Sequence, residues 1–310
     1  MLQPGLIFLT MNHGVEKMEE TVRIKNPGRW VKALINDFIE RSPENTLGNR
    51  ENERAWEDLL VGFSSGNDPL YREYKEREYV GTFHWTPLEI FSITFPSFEV
   101  SAEDLTVISW VLPQNKATKS DNRKEKTYPS ERWARARIFG EKGNIQLAKH
   151  VVANLQQAGF RAVAPSLLSS SFKWMESERY TIASTWSERH VAYASGLGTF
   201  GLCDGLITSK GKAMRCGSVV ANIKISPSRR SYHDHHAYCL FFSKGTCGKC
   251  IQRCPVGALT PAGHDKVKCR SYISDTRSYI SSHFGFEGYG CGLCQTGVPC
   301  ESRIPLKGDL

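Results

Sequence analysis

The sequence predicts an α+β fold, an α/β layer followed by a smaller module built on cysteines. Three observations lead there. Leu105 to Leu112, largely apolar and rich in β-branched residues, reads as a buried strand. A well-patterned helix over Gly143 to Ala158 is followed at once by the strand-like Phe160 to Ala164. Eight of the ten cysteines fall between Cys239 and Cys300.

In chain order, residues 1 to 28 show no clear period. Trp30, Leu34, Ile35 and Phe38 recur at helical spacing, and Arg54 to Phe63 is a second helical stretch. The charged run Tyr71 to Tyr79 reads as an exposed helix. Phe83-His84-Trp85 is an aromatic patch whose histidine is expected to be buried in a turn rather than to face a cofactor. Pro113 to Arg132 is polar and basic, a loop or lid candidate. The helix at 143–158 carries Ile145, Ala148, Val151, Val152 and Leu155 on one face, and Gly159 is placed to end it.

Thr185-Trp-Ser-Glu188 has capping-box spacing and starts a short helix through Tyr193. The glycines that follow (Gly196, Gly198, Gly201) come after a helix, so they do not form a dinucleotide fingerprint, which needs a preceding strand. They fit a close approach of backbone to a flat cofactor or a neighbouring strand. Residues 205–211 read as strand and turn, and Gly217 to Ile225 as a strand. Residues 226–238 are a linker ending in His233, His235 and His236, a polar loop rather than a metal site.

Cys247-Gly-Lys-Cys250-Ile-Gln-Arg-Cys254-Pro255 keeps the C-x2-C-x3-C-P part of the bacterial ferredoxin run, in which the cysteine before proline ligates the other cluster. The expected first cysteine falls on Lys244, and Cys239 is the nearest upstream replacement. The ferredoxin crossover rule then groups Cys239, Cys247, Cys250 and Cys300 around one 4Fe–4S cluster. It groups Cys254, Cys269, Cys291 and Cys294 around a second. Zinc explains neither Pro255 nor the third cysteine, and disulfides need an oxidising compartment for which no export signal is visible. Cys203 and Cys216 stay outside both sets and read as buried thiols.

The composition, 40% hydrophobic and 23% charged, is that of a soluble globular protein. No apolar run reaches membrane-spanning length, and a cytoplasmic setting is the expectation. The formal charge of +8 would be roughly halved by two clusters. What remains suits an acidic electron donor, an anionic substrate or RNA without choosing among them.

The order of features resembles the epoxyqueuosine reductases and the catalytic core of the reductive dehalogenases. The segment from Ser187 through Gly201, the segment Gly205-Leu-Ile-Thr-Ser-Lys-Gly-Lys-Ala-Met-Arg-Cys-Gly-Ser218 and the double-cluster cysteines carry the likeness. It implies a nitroreductase-like, cobalamin-binding core over residues 101–232 and a ferredoxin-like two-cluster module over 233–310; residues 1–100, outside the likeness, read as an N-terminal helical region that either caps the substrate or completes the core. It also implies that electrons pass through the clusters to a base-off corrinoid for reductive cleavage or elimination, with Ser184, Leu206 and Gly217 near the corrinoid.

The family's aspartate general acid falls on Ile182, which leaves Tyr180, Glu188, His190 and Tyr193 as candidate donors. That loss, and the lack of a helical-repeat domain after Cys300, point to a small organic substrate rather than tRNA. The expected electron source is a low-potential donor such as ferredoxin or flavodoxin. The alternatives are an electron-transfer protein serving a corrinoid partner, and an epoxyqueuosine reductase with a different acid.

Overall fold

The computed structural model describes residues 25–306; the readings of residues 1–24 lie outside them. Helix α1 (Pro27–Arg41) begins where the Asn26 side chain accepts from the Arg29 N–H at 3.0 Å and Pro27 presets the first turn. Its inner face is Val31, Ile35 and Ile39. After it come strand β1 (Leu60–Ser65), the single turn α2 (Leu70–Glu73), α3 (Pro87–Thr94), β2 (Thr106–Pro113), α4 (Lys116–Lys124) and α5 (Glu131–Arg135). A π-turn at Ala136–Gly140 leads into α6 (Glu141–Gln157), which Gly159 ends at φ +86°.

The chain continues through β3 (Ala162–Val163), a hairpin of β4 (Trp174–Ser177) and β5 (Thr181–Ser184), and α7 (Glu188–Ala194). A second hairpin pairs β6 (Gly198–Phe200) with β7 (Leu206–Thr208), and β8 (Met214–Ala221) follows. The cysteine module holds α8 (Leu240–Lys244), α9 (Lys249–Gln252) and the long α10 (Lys266–Phe284). Among the described residues no helix is long and apolar enough to cross a membrane.

The main sheet has the order β1-β2-β8-β3, and every pairing in it is antiparallel. Strand β2 is buried along its whole length because both faces are covered. Ile108, Trp110 and Leu112 pack with α1 and α6, while Val107 and Val111 pack with α3 and α7. The result is a three-layer arrangement of helices, sheet and helices. The β1 strand and α1 both contribute to it, so the described part of residues 1–100 completes the core.

Four local expectations change. The stretch 54–63 is not a helix. Trp56 bridges to Gln114 and Leu60–Ser65 pairs with β2, a tertiary pairing that overrides local propensity. Asn45 holds the turn before it, donating to the Ile39 and Trp56 carbonyls and accepting from the Trp56 N–H. The run 71–79 is one helical turn and bends, because Tyr71 and Tyr74 are buried and tied to Ser64 and to the His190 carbonyl.

Residues 113–132 form no lid. Asn115 and Ser130 cap α4 and α5, Lys119 is buried, and Arg132 pairs with Glu53 and Asp121. Finally, Thr185 is not a helix cap: its hydroxyl donates to the Ser171 carbonyl at 2.9 Å, and α7 starts at Ser187.

Helix α4 clamps the cysteine module. Asn122 donates to the Thr296 hydroxyl at 3.1 Å, and Arg123 pairs with the buried Glu301. Arg253, between two cysteines, donates to the carbonyls of Leu293, Thr296, Glu125 and Asn122. Its fork of N–H groups thereby joins the cysteine loops to the end of α4.

Candidate active site and thiol clusters

A cavity of ≈ 470 Å³ opens between β8, α6, the β4–β5 hairpin, the start of α7 and the start of α10, within the size range of small-molecule sites. Local packing sets its walls. The Trp110 indole donates to Asn144 at 2.8 Å, and Asn144 in turn donates to the Cys216 carbonyl, which fixes α6 on the sheet. A Cβ at Gly217 would stand 2.6 Å from the Trp110 ring, so only glycine fits opposite that tryptophan. Arg215 and Glu141 face each other across the wall at 3.3 Å.

Glu188 opens α7 and lines the cavity, half-buried as a residue but with both carboxylate oxygens shielded from solvent. Neither carboxylate oxygen completes a hydrogen bond. Burial raises its pKa to about 7 against the opposing influence of the Ser218 and Ser166 hydroxyls. The Ser218 hydroxyl is itself engaged by the Trp186 indole at 2.9 Å. Glu188 therefore titrates close to neutrality beside the cavity.

His190 accepts or donates at 2.7 Å with the Ser187 hydroxyl and lies 3.4 Å from the Tyr180 hydroxyl. Burial, with His84, Lys266, Arg189 and His235 nearby, holds its pKa well below the ordinary value, so the ring is neutral. The Ser187 hydroxyl is spent on this ring rather than on capping α7, which explains the missing cap. Tyr180 is pushed up to about 12, by burial first and then by Asp204. The Lys266 ammonium sits 4.0 Å over its ring centre. His84 is fully buried and neutral, and its Nε2 accepts from the Ser187 N–H at 3.1 Å, a structural role.

Of the residues singled out from sequence, Tyr180, Glu188, His190, Ser184 and Gly217 line this cavity, and so does Ile182. Tyr193 and Leu206 do not. The Tyr193 ring packs on Tyr232 and Phe200, and Leu206 is fully buried in the apolar core beneath the hairpin. Arg215, Lys266 and Asp204 were missed, because nothing in their local sequence separates them from surface charges. The glycine run approaches a strand: a Cβ at Gly198 would lie 2.3 Å from the Ile207 carbonyl. His236 stacks on Phe242 and meets the Phe200 carbonyl, while His233 is exposed, so the three histidines do not converge.

The cysteines gather in two places. Cys239, Cys247, Cys250 and Cys300 all line one narrow cavity, together with Lys212. Cys291 lies within electrostatic reach of Cys269, Cys254 and Cys294. Burial pushes Cys250 and Cys291 up to about 12 and Cys300 to about 11, so these thiols ionise only against a positive centre. Among the described residues no three His, Cys, Asp or Glu side chains crowd closely enough to hold one metal ion. Four thiols spread around a gap suit a cubane cluster, which spaces its ligands over several irons.

Cys203 is less isolated than the sequence implies: its thiol neighbours Cys294 and accepts from Lys212 at 3.3 Å. Cys216 is pushed up to about 12 by burial and lines the large cavity. The two regions adjoin. Lys266 lines the large cavity, and Cys269 follows one turn along α10 on the same face. Asp204, also on the cavity wall, bonds His264 at 3.0 Å, which in turn contacts Cys269.

No protein-family model matches the chain. Part of it is 31% identical over 119 residues to an epoxyqueuosine reductase of Bacillus anthracis, covering 36% of this chain and 29% of that protein. Another match, 31% over 129 residues, is to the epoxyqueuosine reductase of Staphylococcus aureus, covering 40% and 32%. Over this part the chain is similar to the epoxyqueuosine reductases. Its matches span less than a third of the length of these curated relatives.

Among solved structures, the epoxyqueuosine reductase of Bacillus subtilis aligns at 18% identity and a TM-score of 0.43, over 89% of this chain and 68% of that one. A catabolic reductive dehalogenase aligns at 14% and 0.49, over 90% and 38%. The epoxyqueuosine reductase relationship thus rests on sequence, and the cavity and thiol geometry stand on this structure.

Proposed function

We propose that the protein is an oxidoreductase carrying two 4Fe–4S clusters and a cobalamin, acting by reductive cleavage or elimination on a small organic substrate. In this reading residues 101–232 form a nitroreductase-like corrinoid core, completed by the segment before it, and 233–310 a ferredoxin-like module. The observation that carries it is the convergence of Cys239, Cys247, Cys250 and Cys300 on one narrow cavity, while Cys269 of the second set stands one helical turn from the large cavity. That order suits single electrons entering at the first set and leaving at the second.

The donor sets fit both groups. Eight thiols in two sets match two clusters. The tryptophan walls (Trp110, Trp174, Trp186) and the buried, unbonded Glu188 carboxyl match a ring with apolar faces and an amide-bearing edge. When bound, the corrinoid supplies a low-valent cobalt centre for the reductive step, and the clusters supply the electrons.

The chain's own residues handle position and protons. Ser184 and Gly217 border the space, and Gly217 also keeps Trp110 upright. Ile182 presents an apolar side chain where the relatives' acid would stand. Glu188, protonated up to about pH 7, is the proton donor. Tyr180, oriented by the neutral His190 and by Lys266, is placed to hydrogen-bond the substrate. The electron source is a low-potential carrier such as ferredoxin or flavodoxin.

Iron, sulfide and cobalt analysis with EPR on protein made anaerobically with cobalamin tests this directly. About eight irons and one cobalt per chain are expected. Eight irons without cobalt after incubation with cobalamin would refute the corrinoid enzyme. Ile182→Asp separates the substrate classes: gain of activity on an anticodon stem-loop would overturn the small-substrate reading.

A further inference from the structure

Lys212 is 2% exposed, yet among the described residues no carboxylate pairs with its ammonium. A buried lysine without a counter-charge is costly. Its nitrogen lies 3.3 Å from Cys203 Sγ, it lies within electrostatic reach of Cys300, Cys250 and Cys294, and its side chain lines the cavity shared by Cys239, Cys247, Cys250 and Cys300. Cys203 in turn neighbours Cys294 of the second set. The anions that could balance Lys212 are therefore cysteine sulfurs, Cys203 and members of both sets.

The fold builds this placement. The Lys212 N–H donates to the Cys300 carbonyl at 2.9 Å, and the Ala213 N–H to the Glu301 carbonyl at 3.2 Å. Gly211 precedes them at φ +82°, where a Cβ would stand 2.2 Å from the Glu301 carbonyl oxygen. The turn between β7 and β8 can press onto the last cysteine segment only with glycine there. Lysine follows at the point of closest approach.

We propose that Lys212 is a fixed cation shared by the two clusters, raising the reduction potential of each and holding them close enough in potential to exchange electrons. The inference rests on the iron–sulfur reading above. Each reduction adds one electron from the low-potential carrier to a cluster and makes no bond. The reduced cluster carries one more negative charge, and a buried ammonium favours that state. Lys212 acts through the clusters and is a positioning residue for charge.

The test is an EPR-monitored redox titration of anaerobic holoprotein, wild type beside Lys212→Met and Lys212→Arg, each assayed for iron and sulfide. For Lys212→Met the reduced-to-oxidised ratio at a given potential should fall at least tenfold at both clusters, about 59 mV for a one-electron couple. Lys212→Arg should stay within a few-fold of wild type. Unchanged midpoints in a fully iron-loaded Lys212→Met protein overturn the proposal, and a shift at one cluster alone overturns the shared role.

Should Lys212→Met lose iron, wild type labelled with [ε-15N]lysine decides. A nitrogen coupling on both reduced clusters supports the proposal, and its absence overturns it. Wild type that takes up no iron refutes the iron–sulfur reading itself, an outcome distinct from unchanged midpoints.

Discussion

Replacing Glu188 by glutamine keeps the shape of the side chain and removes its titration. In the folded protein burial lifts this carboxyl from 4.5 to about 7, whereas in the unfolded chain it titrates at an ordinary value. Below about pH 4.5 both states hold the proton and the shift contributes nothing. Between 4.5 and 7 the unfolded chain ionises first, so stability falls as pH rises. Above 7 the penalty is complete, on the order of 3 kcal/mol, since each unit is worth about 1.4 kcal/mol.

Anaerobic urea titrations of wild type and Glu188→Gln, matched for iron content, read this as a difference that cancels titrations common to both. The two should have similar stability at pH 5, and the glutamine variant should be more stable by up to about 3 kcal/mol at pH 8. Curves that stay parallel from pH 5 to 8 would refute the assignment of a proton-holding carboxyl. They would remove with it the case for Glu188 as proton donor.

Other substitutions probe the packing around the site. Gly217→Ala forces a methyl against the Trp110 indole and should cost about 1–3 kcal/mol in urea unfolding. Gly292→Ala, between Cys291 and Cys294, combines φ +66° with a Cβ only 1.9 Å from Trp133 and should remove about half the iron by disordering the second thiol set. Alanine at any of the eight grouped cysteines should lower iron content, whereas Cys216→Ala should leave it near wild type. Equal iron loss in Cys216→Ala would break the grouping.

The closely spaced cysteines were legible as a module because Cys247, Cys250 and Cys254 lie within eight residues of one another, whereas which distant cysteines join them is carried by the fold. The helices at 27–41 and 141–157 were legible for the same reason, through periodic apolar faces. The stretch 54–63 was not, because its strand state is imposed by a partner some fifty residues away. Residues 113–132 looked like a solvated loop because their polar side chains have partners at Glu53, Thr296 and Glu301, far along the chain. Glu188 carried a misleading signal. Capping-box spacing suggested a helix start, and only the fold reveals a buried carboxyl facing a cavity.

The pairing of β2 with β8, from Thr106 opposite Ala221 to Pro113 opposite Met214, has a consequence for biogenesis. The two central strands of the sheet are separated by about a hundred residues, so during synthesis β2 has no inner neighbour until β8 has left the ribosome. Such long-range closure is slow and leaves an apolar strand edge open meanwhile. The eight grouped cysteines emerge later still, and α4 gains its Thr296 and Glu301 partners last. On the iron–sulfur reading, cluster insertion would follow closure of the sheet, and a nascent chain stalled before residue 214 would still expose the β2 edge.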